Sequence, residues 1–337
     1  MNGRGVGAWL LHCADPRGSR QEPPRRLLDP AAARELAVQA EAHGVLPAVL
    51  RNFPPFSAGR EDPAFAGAAA DARARYRTAR AFVLMLRDEH EALAAGTSGL
   101  PMAVIKGPVF ARMLYPEPEL RTFTDIDVLV APVAEPRLAA LLAARGYELG
   151  DDGTAHVRNE WKWVKRDNPT LMVEVHTDVV HAPSLRASLS LTYDDLAEET
   201  ETPAGCLMIA IVHGAFSHGF ERLQHVVDVC QAARALATDA DERRFERLVA
   251  RTGAQYAAAV SLDLAGRMLA EPRCHEIARA LGLESGIRMA RVLIDRTVLT
   301  TTKTPRRVIH SWRRQLFREL LKRGGDRRDA RGADAVR

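Results

Sequence analysis

Apolar positions recur at helical spacing through residues 1–98, break into short strand-like runs through 100–180, and return to helical spacing through 186–325. Ala31 to His43 carries such a stripe and stops at Gly44, a usual helix terminator. Pro54-Pro55 and Ser57-Ala58-Gly59 mark a loop. Ala64 to Ala95 predicts a long helix with Phe82, Leu86 and Leu93 on one face, broken by Thr97-Ser98-Gly99. Met102–Ile105 predicts a short strand, Gly107–Tyr115 a helix stopped by Pro116 and Pro118, Thr124–Val130 a strand, and Pro132–Arg145 a helix ended by Gly146. Glu160–Lys165 and Thr170–His176 predict a hairpin around the turn Arg166-Asp167-Asn168-Pro169. Leu207–His218 and Arg222–Leu236 read as helices meeting near Gly219, followed by Gln255–Ala270 and Pro272–Leu281.

This pattern predicts an α+β chain: a small mixed β-sheet core at 100–182, an N-terminal helical region at 1–99, a C-terminal helical region at 183–325 and a disordered tail at 326–337. With 337 residues and 47% hydrophobic content, the chain can bury a large core. Only 6% of residues are aromatic, which agrees with mostly helix. No apolar run reaches the roughly 18 residues of a membrane span, and the opening VGAWLLHC reads as the first helix rather than a leader. Cys13, Cys206, Cys230 and Cys274 share no metal-ligand spacing and read as reduced, buried thiols of a cytoplasmic protein.

The formal charge of +4 is concentrated at one end. Residues 306–337 hold 11 Lys/Arg against 4 Asp/Glu, so the rest of the chain is slightly acidic. That argues against a general nucleic-acid-binding surface; RNA remains an unfavoured partner. Val308, Ile309, Trp312, Leu316, Leu320 and Leu321 are expected to dock a terminal helix on the body, with a solvated basic face.

The chemistry gathers in AVIKGPVFARMLYPEPELRTFTDIDVLV, residues 103–130. Asp125 and Asp127 are two apart in a strand, so their carboxylates face one way, and the apolar run Val128-Leu129-Val130 anchors them. Such a pair suits a hard divalent cation that also takes substrate phosphates. The strand Leu171–His176 sets a third acid, Glu174, on the same face as His176. Lys106-Gly107, where a strand turns into a helix, places a cation and a helix N-terminus on the phosphate side. Arg121 is a candidate phosphate clamp or a surface partner of Glu117 or Glu119. His176 is a candidate for orienting the acceptor or for partnering Glu174. Asp228, within Val226-Val227-Asp228-Val229, needs a partner such as Arg222 or Arg234 and is a candidate ligand contact. His213, His218 and His225 lack the i, i+4 spacing of a helical zinc pair and are expected to be structural or exposed. Trp161 and Trp163 share a strand face and are expected in the core.

Lys-Gly, a helix ending in Tyr115-Pro116, Arg121, Asp125-x-Asp127 and then Glu174-x-His176 resemble the uncharacterised bacterial nucleotidyltransferase family of the DNA polymerase β-like superfamily. The resemblance is close over Val104–Val130 and Val173–His176, looser over 213–234, and extends to the HGV-P segment within Ala40–Leu50. It implies a mixed sheet flanked by helices, Asp125 and Asp127 as metal ligands, and Glu174 as a third ligand or as the base for the acceptor hydroxyl. It further implies Mg²⁺ or Mn²⁺, two ions, with an NTP as co-substrate. The acceptor is an unidentified small molecule, peptide or protein; the rival expectation is a non-catalytic scaffold of a biosynthetic complex that keeps the fold. The wider superfamily has Gly-Ser where this chain has Lys106-Gly107, so charge replaces a hydroxyl at the phosphates.

Overall fold

A computed structural model describes residues 3–57, 62–150, 159–283, 287–301 and 311–332. The first helix, α1 (Gly3–Cys13), precedes α2 (Pro30–Ala42), whose start is set by Asp29: its carboxylate accepts the Ala32 amide at 2.8 Å, and Pro30 fills the first helical position. Past its end, Gly44 has φ +71° and a Cβ there would lie 2.7 Å from Gln224 Oε1, so only glycine fits. α3 (Leu46–Asn52) and the 31-residue α4 (Ala66–Gly96) follow. The two ends of α4 serve different cores. Ala68, Ala69 and Ala72 pack among the N-terminal helices, whereas Leu86 and Leu93 pack against the sheet. Residues Ala58 and Gly59 of the expected loop lie outside the described residues.

The sheet has β1 (Met102–Ile105), β2 (Ile126–Val130), β3 (Tyr147–Leu149), β4 (Glu160–Lys165) and β5 (Met172–His176), in the spatial order β1-β2-β5-β4-β3. β2 and β5 are parallel; the other pairs are antiparallel. α5 (Gly107–Leu114) follows β1 and α6 (Glu135–Ala144) follows β2. The strands match the predicted runs closely, and β3, only three residues long, is an addition to them. Because side chains alternate, one face of the sheet presents Ile126, Val128, Val130, Val173, Val175 and Trp163 to Leu86, Leu93, Leu138 and Leu142. Trp163 is buried and Trp161 packs beside it, as expected for core residues. The opposite face carries Asp127, Glu174 and His176.

The second core is shared by both ends of the chain: α1–α3 pack with the later helices Pro203–Val212, Leu223–Ala235 and Gln255–Leu269. A buried cluster joins them, with Arg234 donating to both oxygens of Asp15 at 2.8 and 2.6 Å and pairing with Glu271. All four cysteines are buried free thiols. No helix among the described residues is long and apolar enough to cross a membrane.

The last helix, Ser311–Gly332, runs past residue 326, where the disordered tail was placed; Arg and Asp without proline can continue a helix. Residues 333–337, Val308 and Ile309 lie outside the described residues. The helix docks through part of the expected stripe, since Leu321 is buried and Leu320 packs against the core, but not through the rest of it. Trp312 and Leu316 are exposed, while Phe317 (0% exposed), Leu321 and Arg314 are buried. Arg313 pairs with Asp295 at 2.8 Å and Arg314 donates to the Val298 carbonyl at 2.9 Å, so two of the arginines are docking contacts. Phe317→Ala is therefore expected to cost roughly 3–5 kcal/mol in urea unfolding, and Trp312→Ala within about 0.5 kcal/mol of zero. Equal costs would put the docking face elsewhere.

Candidate active site

Strand register builds the site. In the parallel pair Asp127 is opposite Glu174, and in the neighbouring antiparallel pair Glu174 is opposite Lys162. Three strands thus place a carboxylate, a carboxylate and an ammonium in one row. Asp125 immediately precedes β2 and lies two residues before Asp127 on that side. On the other flank Asp127 is opposite Ile105, so Lys106, the next residue, falls beside it. Lys106 has φ +57°, a backbone conformation costly for any residue that carries a Cβ, so the surrounding structure must hold it there. Gly107 then opens α5, with Pro108 in its first turn.

The row lines a cavity of about 790 Å³, within the range of small-molecule sites. Lys106, Gly107, Arg121, Asp125, Asp127, Glu174 and Asp228 all border it. His176 does not: it is fully buried behind the acids, with Nε2 3.2 Å from Asp127 Oδ1 and 3.8 Å from Glu174 Oε2. Lys106 Nζ lies 2.6 Å from the same Asp127 oxygen. Burial alone would raise the Asp127 carboxyl, but Lys106 and His176 outweigh it and hold the group well below the usual carboxylate range. Asp125 goes the other way. Burial, then the charges of Asp127 and Glu174, push it up to about 7, with Lys106 offsetting only part.

Hard oxygen donors that repel one another suit a divalent cation: Asp125 in particular is a carboxylate whose charge Lys106 and Arg222 offset only in part. Asp127, Glu174 and His176 each bring one ligand atom to within 4.8 Å of the others, a set that could hold such an ion, and Asp125 borders the same cavity. A consequence is measurable in the metal-free protein. A carboxyl titrating near 7 when folded and near 3.8 when unfolded keeps a proton that the unfolded chain releases. Stability therefore falls as pH rises from about 4 to 7, with the full penalty above 7. Asp125→Asn removes the penalty. It is expected to raise the Tm in EDTA by roughly 6 °C at pH 8 and to make little difference at pH 4. An equal shift at both pH values would assign the effect to something other than this charge.

Arg121 is buried and does not pair with Glu117 or Glu119. It makes a bidentate pair with Asp228, Nε–Oδ1 2.8 Å and Nη2–Oδ2 2.9 Å, and its Nη1 donates to the Gly107 carbonyl at 3.2 Å. The Tyr115 hydroxyl donates to Asp228 at 2.7 Å, and the guanidinium lies over the Phe110 ring. The partner of Asp228 is thus Arg121, where Arg222 or Arg234 was expected. This cluster ties the start of α5 to the helix Leu223–Ala235.

Several cavity residues escaped the sequence reading. Glu160 and Lys162 follow from the alternation E-W-K-W: if the tryptophans face the core, these two face the site. Lys162 Nζ bridges Glu160 at 3.2 Å and Glu174 at 3.3 Å. His181 stacks on His176 at 4.9 Å and reaches Glu160 at 3.1 Å. No local pattern signals it. His213, His218 and His225, expected to be structural or exposed, all border the cavity, with rings 4.4–5.3 Å apart.

This arrangement of acids behind a lysine and a helix N-terminus is the site that the family assignment must explain. The family described as an uncharacterised nucleotidyltransferase matches residues 29–270. The chain belongs to this family. The matched span holds every strand, the three acids, Lys106, and both members of the Arg121–Asp228 pair. No curated protein and no solved structure gives a match.

Proposed function

We propose that this nucleotidyltransferase-family chain transfers a nucleoside monophosphate from an NTP to an acceptor hydroxyl and releases pyrophosphate. The reading is supported by Asp127 lying opposite Glu174 in the sheet and by both of them, Asp125, Lys106 and Gly107 at the start of α5 bordering one cavity. Mg²⁺ or Mn²⁺, as two ions held by the three acids, would neutralise the triphosphate and lower the pKa of the attacking hydroxyl. The acceptor oxygen forms a bond to the α-phosphorus as the bond to the β-phosphate oxygen breaks in line. The hydroxyl proton passes to a carboxylate, for which Glu174 is the candidate when it is not itself a ligand. Lys106, released from Asp127, supplies positive charge to the phosphates, and the Gly107 amide meets them at the helix N-terminus. Arg121 and Asp228 act by positioning that turn through the Gly107 carbonyl. His176 fixes the Asp127 carboxylate from behind.

Retention of all three acids around one cavity supports an enzyme over a scaffold that merely keeps the fold. A small molecule, peptide or protein fits the acceptor role; nucleic acid is disfavoured by the lack of a general basic surface. The test is incubation with each NTP labelled at the α- or the γ-phosphate, Mg²⁺ and a cell extract as the source of acceptors. Label from α but not γ should enter a product heavier than its acceptor by one nucleoside monophosphate. Transfer of γ label would make the reaction phosphoryl transfer instead.

A further inference from the structure

The helix Pro203–Val212 does not end where its hydrogen bonds should. It continues into a π-helical turn, His213–Ser217, closed by the His218 amide donating to the His213 carbonyl at 3.2 Å. Gly219 and Phe220 then both adopt φ near +55°, at +55° and +53°. The chain thereby doubles back so that His218 returns over His213 while His225 approaches from the next helix, Leu223–Ala235. The inserted turn is why spacings of five and seven, which a regular helix would separate, give one cluster. One ring nitrogen from each of the three residues lies within 4.8 Å of the other two.

We propose that His213, His218 and His225 form a binding site for one divalent transition-metal ion of the zinc class, distinct from the carboxylate site and with an open coordination position toward the cavity. Three imidazoles are a borderline-soft donor set that suits zinc far better than magnesium. Three protein ligands with a free fourth position is the arrangement of zinc sites that bind water or substrate. Second, His225 is 7% exposed, yet its Nδ1 is buried without a hydrogen-bond partner, and its ring stacks on His218 at 4.7 Å. A buried imidazole nitrogen left unpaired beside two other imidazoles is costly unless something binds there. Third, Glu221 Oε1 lies 3.0 Å from His218 Nδ1. A carboxylate on one ring nitrogen directs the lone pair to the other, the usual support for a metal-bound histidine. Two nitrogens on one zinc stand about 3.4 Å apart, given Zn–N near 2.0–2.1 Å.

The site faces the same cavity as the acids, on the wall formed by the C-terminal helices. An ion there would offer its open position to an anionic or hydroxyl group of the acceptor. The metal site itself does not depend on the nucleotidyl-transfer reading, because its test is binding.

The full chain is dialysed against Zn²⁺ in excess Mg²⁺, which competes at the carboxylates, and bound zinc is measured. The expected result is one zinc per chain, a Tm rise of about 3 °C, and a four-coordinate visible spectrum when Co²⁺ replaces Zn²⁺. Asp127→Asn should keep all three signals. His225→Ala should lose them; His218→Ala, at the more exposed ligand, should weaken binding at least tenfold while melting like wild type without metal. Absence of zinc binding in the wild type overturns the proposal. So does binding unchanged in both histidine variants, or binding lost with Asp127→Asn, which would place the zinc on the acids.

Discussion

Asp127→Asn and Asp125→Asn are each expected to reduce NTP-dependent transfer by about 10²–10⁴-fold, since charge stabilisation by a bound cation supplies several kcal/mol of the barrier reduction. The two variants should part company in stability. Asp125 is a carboxylate pushed up to about 7 by its burial and its acidic neighbours, so its amide relieves repulsion. Asp127 compensates Lys106, which is 5% exposed and 2.6 Å away, so its amide leaves a buried ammonium with a weaker partner. Loss of activity in both, with melting raised in one and lowered in the other, identifies a site organised around charge. Wild-type transfer by both variants in Mg²⁺ would remove these residues from the metal site.

Asp228→Ala is expected to destabilise the protein by roughly 3–5 kcal/mol, the cost of leaving a buried charge unpaired. Arg121 would lose both arms of its bidentate contact, and the Tyr115 hydroxyl would lose its acceptor. The pair borders the cavity and holds the Gly107 carbonyl in place, so Arg121→Met with Asp228→Leu should recover part of the stability while transfer stays impaired. Urea unfolding of the two single variants and the double variant gives the coupling energy directly. A loss below about 1 kcal/mol for Asp228→Ala, with transfer abolished, would make Asp228 a ligand contact instead of a positioning residue.

The contrast between these residues explains how much was legible beforehand. Asp125, Asp127, Glu174 and His176 could be grouped from sequence because strand periodicity fixes which side chains share a face, and short β-formers bounded the runs. That Asp127 lies opposite Glu174 was not legible, since α6, β3 and β4 separate the two strands in the chain. The partner of Asp228 was missed for a related reason: Arg121 is 107 residues away, and nearer arginines satisfied the same local argument. The terminal helix was read correctly at Leu320 and Leu321 but in the wrong phase at its start, because its buried stripe there includes an arginine, Arg314, so counting apolar positions selected Trp312 and Leu316. The histidine cluster depends on a π-helical turn and a left-handed Phe220, departures from regular spacing that no periodicity argument anticipates.

The most direct test needs no knowledge of the acceptor. Calorimetric titration with an NTP analogue that cannot be cleaved between the α- and β-phosphates measures whether the acids form a metal-dependent nucleotide site. The account predicts one analogue bound per wild-type chain in Mg²⁺, with binding weakened at least about tenfold, or 1.4 kcal/mol, by EDTA or by Asp127→Asn. Equal affinity with and without Mg²⁺, or an Asp127→Asn variant that binds like wild type, would contradict it.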